Sequence, residues 1–137
     1  MKIFVDTNVI IDILLNKANF VEDSQKALEL GFANGDRMYF SSSSVTDVYY
    51  LLRKAFQSKE NALDAIKDLV VLFDFVEVNE DCILKAIDSK ICDFEDAVID
   101  AAASKIEADY ILTRNVDDFK NSLNLVINPT DFIKLRV

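Results

Sequence analysis

The sequence predicts an α/β domain built on a largely parallel sheet, and three observations carry that reading. Short apolar runs, rich in β-branched and aromatic residues, alternate with longer stretches of helical spacing. Three of the predicted strands pass into polar, acid-containing segments, as strands do where a parallel sheet hands over to its crossovers. With only 2 Gly and 1 Pro among 137 residues, the chain has few tight turns and little linker. A chain of this length, 51% hydrophobic and 28% charged, fits one domain over residues 1–137 with a core of its own.

Ile3-Phe4-Val5 reads as a strand buried on both faces. Asp6-Thr7-Asn8 follows at once, and Val9, Ile10, Ile11, Ile13, Leu14 and Leu15 supply an apolar helix. A second helix spans Glu22 to Asn34 and stops at Asn34-Gly35. Met38-Tyr39-Phe40 is a short strand, and Ser41 to Ser44 offer N-caps. Ser44-Val45-Thr46-Asp47 resembles a capping box with Asp in place of Glu or Gln, opening a helix through Phe56. Ser58-Lys59-Glu60 starts another helix, to about Leu72, and Phe73 to Val78 is a third strand. Asn79 caps a helix carrying Ile83, Leu84, Ala86 and Ile87. Asp93 to Glu107 forms the next, with Ala97, Val98, Ala101, Ala102 and Ile106 as its buried stripe. Tyr110-Ile111-Leu112 is a fourth strand, ending in a polar loop with one helical turn through Phe119. Leu123 to Ile127 is a fifth, ended by Asn128-Pro129, and Thr130 or Pro129 opens a last short helix to Leu135.

Composition excludes several classes of function. No apolar run approaches the ~20 residues of a membrane span, and the N-terminus does not read as a signal peptide. Cys82 and Cys92, in a chain with no His, argue against a zinc site. They read as reduced, partly buried thiols of a cytoplasmic protein. The absence of His also removes Ser-His-Asp chemistry. A net charge of −9 argues against a broad basic surface for nucleic acid. It leaves an acidic route, in which carboxylates hold divalent cations and the cations hold phosphate.

Ligands of open α/β sheets bind at the carboxyl ends of the strands. Asp6 stands at the end of the first strand, Asp47 seven residues past the second and Asp118 past the fourth. Asp96, in the first turn of a helix starting at that edge, can point there too. Taken singly, each acid has a plain role. Asp6 caps a helix, Asp47 completes a capping box, and Asp117 and Asp118 are turn residues. Asp96, among Asp93, Glu95 and Asp100, belongs to a solvated helix start. Asn8 bonds its own turn, and Asp12 is solvated. Taken together, acids converging on one edge repel one another unless a cation neutralises them. One or two Mg²⁺ or Mn²⁺ ions suit an all-oxygen site.

These segments resemble the PIN domain, the metal-dependent nuclease fold of VapC-type toxins and related ribonucleases. The matching stretches are Ile3-Phe4-Val5-Asp6-Thr7-Asn8, Ser42 to Val48, Phe94 to Ala103, Tyr110 to Phe119 and Val126 to Phe132. The resemblance implies a Rossmann-like three-layer α/β/α sandwich, with a mostly parallel sheet of four to five strands. It implies endoribonuclease activity with Mg²⁺ or Mn²⁺. Carried over by position, Asp6 and Asp96 are the principal metal ligands, Asp47 holds the second acidic position, and Asp118 or Asn115 the fourth. Asn8, Thr113 and Asn115 are supporting polar residues. Arg114, in the same loop, is the residue expected to hold substrate phosphate, ahead of Arg53 and Lys54, which read as solvated helix residues. Two departures bear on the chemistry. The second acidic position is usually Glu, and many members carry Asp where this chain has Asn115.

The leading expectation is a metal-dependent ribonuclease acting on RNA, with an antitoxin protein and a second copy of the chain as candidate partners. The alternative is a catalytically silent PIN-like module that binds RNA or a protein. A dehalogenase-type phosphatase needs a second Asp two residues after the first, and position 8 is Asn.

Overall fold

The computed structural model describes residues 1–137. In chain order the strands are β1 Lys2–Val5, β2 Arg37–Ser41, β3 Asp74–Val76, β4 Tyr110–Leu112 and β5 Val126–Ile127. The helices are α1 Thr7–Leu14, α2 Val21–Ala33, α3 Val45–Phe56, α4 Lys59–Leu72, α5 Glu80–Ile87, α6 Phe94–Lys105 and α7 Pro129–Arg136. Single 3₁₀ turns occupy Ser42–Ser44 and Val116–Phe119.

The strands pair in the order β3-β2-β1-β4-β5, every pair parallel. β1 lies at the centre, with Phe4 opposite Tyr39 on one side and Ile111 on the other. Strand alternation then divides the core in two. Ile3 and Val5 join Val9, Phe40, Leu52, Leu69 and Phe132 under α1, α2, α3, α4 and α7. Phe4 faces the opposite way and packs with Val98, Ala102 and Ile111 under α5 and α6. The result is the expected three-layer α/β/α sandwich. Ala101, Ala102 and Ala103 of α6 are all buried, and side chains this small bring the helix close to the sheet.

Caps fix where helices begin. Asp6, Ser58, Asn79, Asp93 and Asn128 each accept a bond from a backbone N–H in the first turn of the helix that follows. Ser44 does not: it makes no side-chain cap bond to α3. Instead the Ser41 hydroxyl accepts from the Ser43 N–H at 3.3 Å and caps the 3₁₀ turn. The capping-box role expected for the Ser44–Asp47 pair is therefore absent.

Two strands are shorter than their apolar runs. Phe73 turns into the core as the C-cap of α4, which leaves only Asp74–Val76 to pair. Leu123 and Leu125 are exposed, because Asp100 captures the loop before β5. Asp100, expected to be solvated, is 3% exposed. Its carboxylate accepts from the Ser122 hydroxyl, the Leu123 N–H (3.1 Å) and the Asn124 amide (2.8 Å). The two thiols also differ from the expectation of a partly buried pair: Cys82 is buried and Cys92 exposed. No helix is long and apolar enough to cross a membrane.

Asp100→Ala should cost about 3 kcal/mol, since hydrogen bonds to a charged group contribute roughly 1.5–3 kcal/mol each and the freed donors are partly buried. The denaturation midpoint should fall with an unchanged slope. An unchanged midpoint would show that the loop is held by other contacts.

Candidate active site

The carboxyl ends of β1 and β4 lie side by side, and Asp6 and Thr113 are the first residues beyond them. Asp6 leaves β1 in extended conformation (φ −71°, ψ 151°) and caps α1. One of its oxygens accepts from the Thr7 N–H at 2.7 Å, and the other from the Thr113 hydroxyl at 2.7 Å. The Thr113 oxygen in turn accepts from the Asn8 amide (3.2 Å) and the Asn115 N–H (3.1 Å). Asn8 closes the ring by accepting from the Arg114 N–H at 3.2 Å. Asn8 thus reaches across to the β4 loop rather than bonding its own turn.

An open cleft of about 360 Å³ lies against this frame. It is lined by the carboxylates of Asp6, Asp93, Glu95, Asp96 and Asp118, with Asn8, Asn115, Lys17 and Arg114 around them. Asp6, Asp96 and Asp118 therefore meet at one edge, as their strand and helix positions predict. Asp47 is exposed on the first turn of α3 and is not part of the lining, but its charge is felt at Glu95. Asp93 and Glu95, read from sequence as solvated, belong to the cleft. The signal was present in the Asp93–Asp96 spacing, which brings the cap of α6 and its third residue together. The Asp93 carboxylate accepts from the Asp96 N–H at 3.0 Å.

The electrostatics follow from burial and crowding. Burial pushes the Asp6 carboxyl up, the bonds from Thr113 and Thr7 pull it back, and Asp118 pushes it up again. Asp96 is pushed up to about 7, first by burial and then by Asp6, Asp93, Asp118 and Glu95. Glu95 is raised by burial and by Asp47, Asp93 and Asp6. The acids ring the cleft rather than meeting at one point: no three of them are close enough to enclose a single ion. Beside Asp6, the Thr7 hydroxyl is buried with no partner.

Arg114 stands in the expected loop and lines the cleft, with its guanidinium already engaged. It donates to both Asp12 oxygens, at 2.9 and 3.3 Å, and lies 4.0 Å above the Phe20 ring centroid. Asp12, expected to be solvated, is fully buried by this pairing. The partner is 102 residues away in sequence, so local periodicity gives no sign of it.

The family model for the PIN domain matches residues 2–117. The chain belongs to the PIN domain family. Ribonuclease VapC1 of Aquifex aeolicus (strain VF5) is 32% identical over 119 residues, covering 83% of this chain and 81% of that protein. In fold, the PIN domain described here resembles a crystal structure of VapBC2 from Rickettsia felis bound to a promoter DNA fragment. The TM-score is 0.73 at 18% identity, covering 93% of this chain and 98% of that one. A DNA-bound VapBC from Salmonella typhimurium gives 0.71 at 16% identity, covering 94% and 98%.

A carboxyl whose pKa rises on folding binds a proton in the folded protein that the unfolded chain releases. Its destabilising effect is absent at acid pH and grows as pH rises toward 7. Asp96→Asn should therefore raise the melting temperature of the cation-free protein at pH 8 and change it little near pH 4. An equal effect at both pH values would show that Asp96 does not carry the repulsion. Arg114→Ala should cost about 3 kcal/mol by leaving the Asp12 charge buried and unpaired, a range set by broken buried pairs. Adding Asp12→Asn should recover part of that loss in the same melt; no recovery would assign the cost to lost packing on Phe20.

Proposed function

We propose that this PIN domain is an endoribonuclease that hydrolyses RNA phosphodiester bonds with Mg²⁺ or Mn²⁺, and that it serves as the toxin of a toxin–antitoxin pair. The observation that carries the chemistry is the ring of carboxylates, Asp6, Asp96 and Asp118, at the carboxyl edge, with Asp96 pushed up to about 7. The identity to a protein named as a ribonuclease supports the reaction class. The likeness to structures of VapBC complexes supports the partner.

The donor set suits a hard cation. All the candidate ligands are oxygens, and Mg²⁺ is usually held by one or two carboxylates, with water and substrate phosphate completing its shell. Spaced acids meet that need better than an enclosing cage. The unpartnered Thr7 hydroxyl beside Asp6 fits a site that is completed by water or ligand. Asp6 and Asp96 would hold the ion, with Asp118 beside them. Such an ion, when bound, offsets the carboxylate repulsion and draws charge from the phosphate.

The remaining work falls to the chain. Thr113 and the Thr7 N–H aim the two Asp6 oxygens, so the carboxylate cannot rotate away. Asp118, beside the two ligands, orients a water and takes up its proton. Hydrolysis places the hydroxyl on phosphorus, breaks the bond to the leaving oxygen and returns a proton to that oxygen. Asp47 acts on this site through Glu95. Lys17 and Arg114 line the cleft and suit the flanking phosphates, the charge of Arg114 being partly offset by Asp12. Exposed Tyr50, Leu51, Val70 and Val71 on α3 and α4 offer apolar surface for a second copy or an antitoxin.

A silent RNA- or protein-binding module is the second reading, favoured by the neutral Asn115 and by the spacing of the acids. One experiment separates the two. Single-stranded and structured RNAs are incubated with Mn²⁺, with Mg²⁺ and with EDTA, using wild type, Asp6→Asn and Asp96→Asn. Cleavage should require the metal and fall by at least about 100-fold in both variants, the loss typical for a group that holds the reacting centre. Melting curves should show both variants folded. No metal-dependent cleavage by wild type, together with no change in melting on adding Mn²⁺, would leave the binding module.

A further inference from the structure

We propose that a second pocket, between the starts of α2 and α7, receives a nucleobase of the substrate RNA next to the cleaved phosphodiester, and prefers a base with an exocyclic amino group. The inference rests on the ribonuclease reading for its substrate class. The pocket holds about 310 Å³. That is at the small end of ligand sites, which run roughly from 300 to 1,000 Å³. Phe20, Asp23, Ser24, Asn128 and Thr130 line it, and Arg114 lines both this pocket and the acidic cleft. A strand whose phosphate lies among Asp6 and Asp96 would therefore pass Arg114 and reach the pocket with its neighbouring nucleotide.

Three features point to a base. Ser24 is 1% exposed, and its hydroxyl has no hydrogen-bond partner. A buried polar group of this kind is costly unless something completes it, and a base edge would. Phe20 carries the Arg114 guanidinium over its ring, and flat bases stack on such aromatic and guanidinium planes. Asp23 accepts from the Thr130 hydroxyl at 3.1 Å through one oxygen, leaving the other free to accept from a ligand.

The same features argue against a phosphate. α2 opens with no side-chain cap, and α7 starts nearby, so two positive helix ends face the region. Yet Arg114 is neutralised by buried Asp12, and Asp23 adds a negative charge to the wall. An uncharged, donor-bearing group suits that balance better than an anion. Adenine, guanine and cytosine offer an amino group to Asp23; uracil does not.

The test uses isotope-labelled full-length protein without metal, followed by amide NMR. Adenosine, cytidine, uridine and inorganic phosphate are titrated separately, so that no probe carries both a base and a phosphate. Adenosine and cytidine should shift the amides of Phe20 to Ser24 and of Thr130, and uridine much less. Ser24→Ala should bind about fivefold more weakly, the loss of one hydrogen bond, while the unliganded variant melts no lower than wild type. No shift at these amides with any nucleoside, equal shifts with uridine, or shifts with phosphate alone would overturn the proposal. Cleavage assays run alongside keep the two readings apart. Nucleoside shifts without RNA cleavage would retain the base pocket and remove the nuclease; cleavage without the shifts would remove the pocket only.

Discussion

The hydroxyl of Thr113 is the interaction on which the site depends. It uses its full bonding capacity: one donated bond to Asp6 and two accepted, from the Asn8 amide and the Asn115 N–H. These three partners come from two strand ends that only the parallel pairing of β1 and β4 brings together. Without that hydroxyl, Asp6 would be a buried carboxylate held only by its own helix start. With it, the acid keeps a fixed direction, and part of the burial penalty on its charge is offset. Sheet register and site geometry are thus one constraint. A slip of one residue between β1 and β4 would turn Thr113 to the opposite face and dissolve the ring.

The sequence made the architecture legible because the chain is locally consistent. Strand runs such as Ile3–Val5 and Tyr110–Leu112, and helix starts such as Ser58 and Asn79, state their roles within a few residues. Asp6 and Asp118 follow strand ends, Asp96 opens a helix that starts at the same carboxyl edge, and the three share a cleft. What escaped were the residues whose partners are distant in sequence. Asp12 reads as solvated until Arg114 arrives from the β4 loop, and Asp100 until the Ser122–Asn124 loop folds onto it. Asp93 and Glu95 look like ordinary first-turn acids, because a stabilising dipole charge and a cleft-lining charge carry the same local pattern. The alternative reading of Asp47 as a capping-box residue fails for the opposite reason: the local pattern is good, but the 3₁₀ turn before α3 takes over the role of the cap.

The cleft divides its labour between neutral and charged residues. Asn8, Thr113 and the Asn115 N–H make the frame, and their bonds do not depend on pH in the range where the carboxyls titrate. Asp6, Asp96, Asp118 and Glu95 are the acids of the cleft, and burial first, then crowding, raises the pKa of Asp6, Asp96 and Glu95. The frame therefore holds Asp6 in place against the burial and repulsion that act on its charge. An acid at position 8 or 115 would add to the repulsion, and at position 8 it would also remove the amide that donates to Thr113. A neutral Asn115 thus leaves the cleft with less charge to hold together than an acid at that position would.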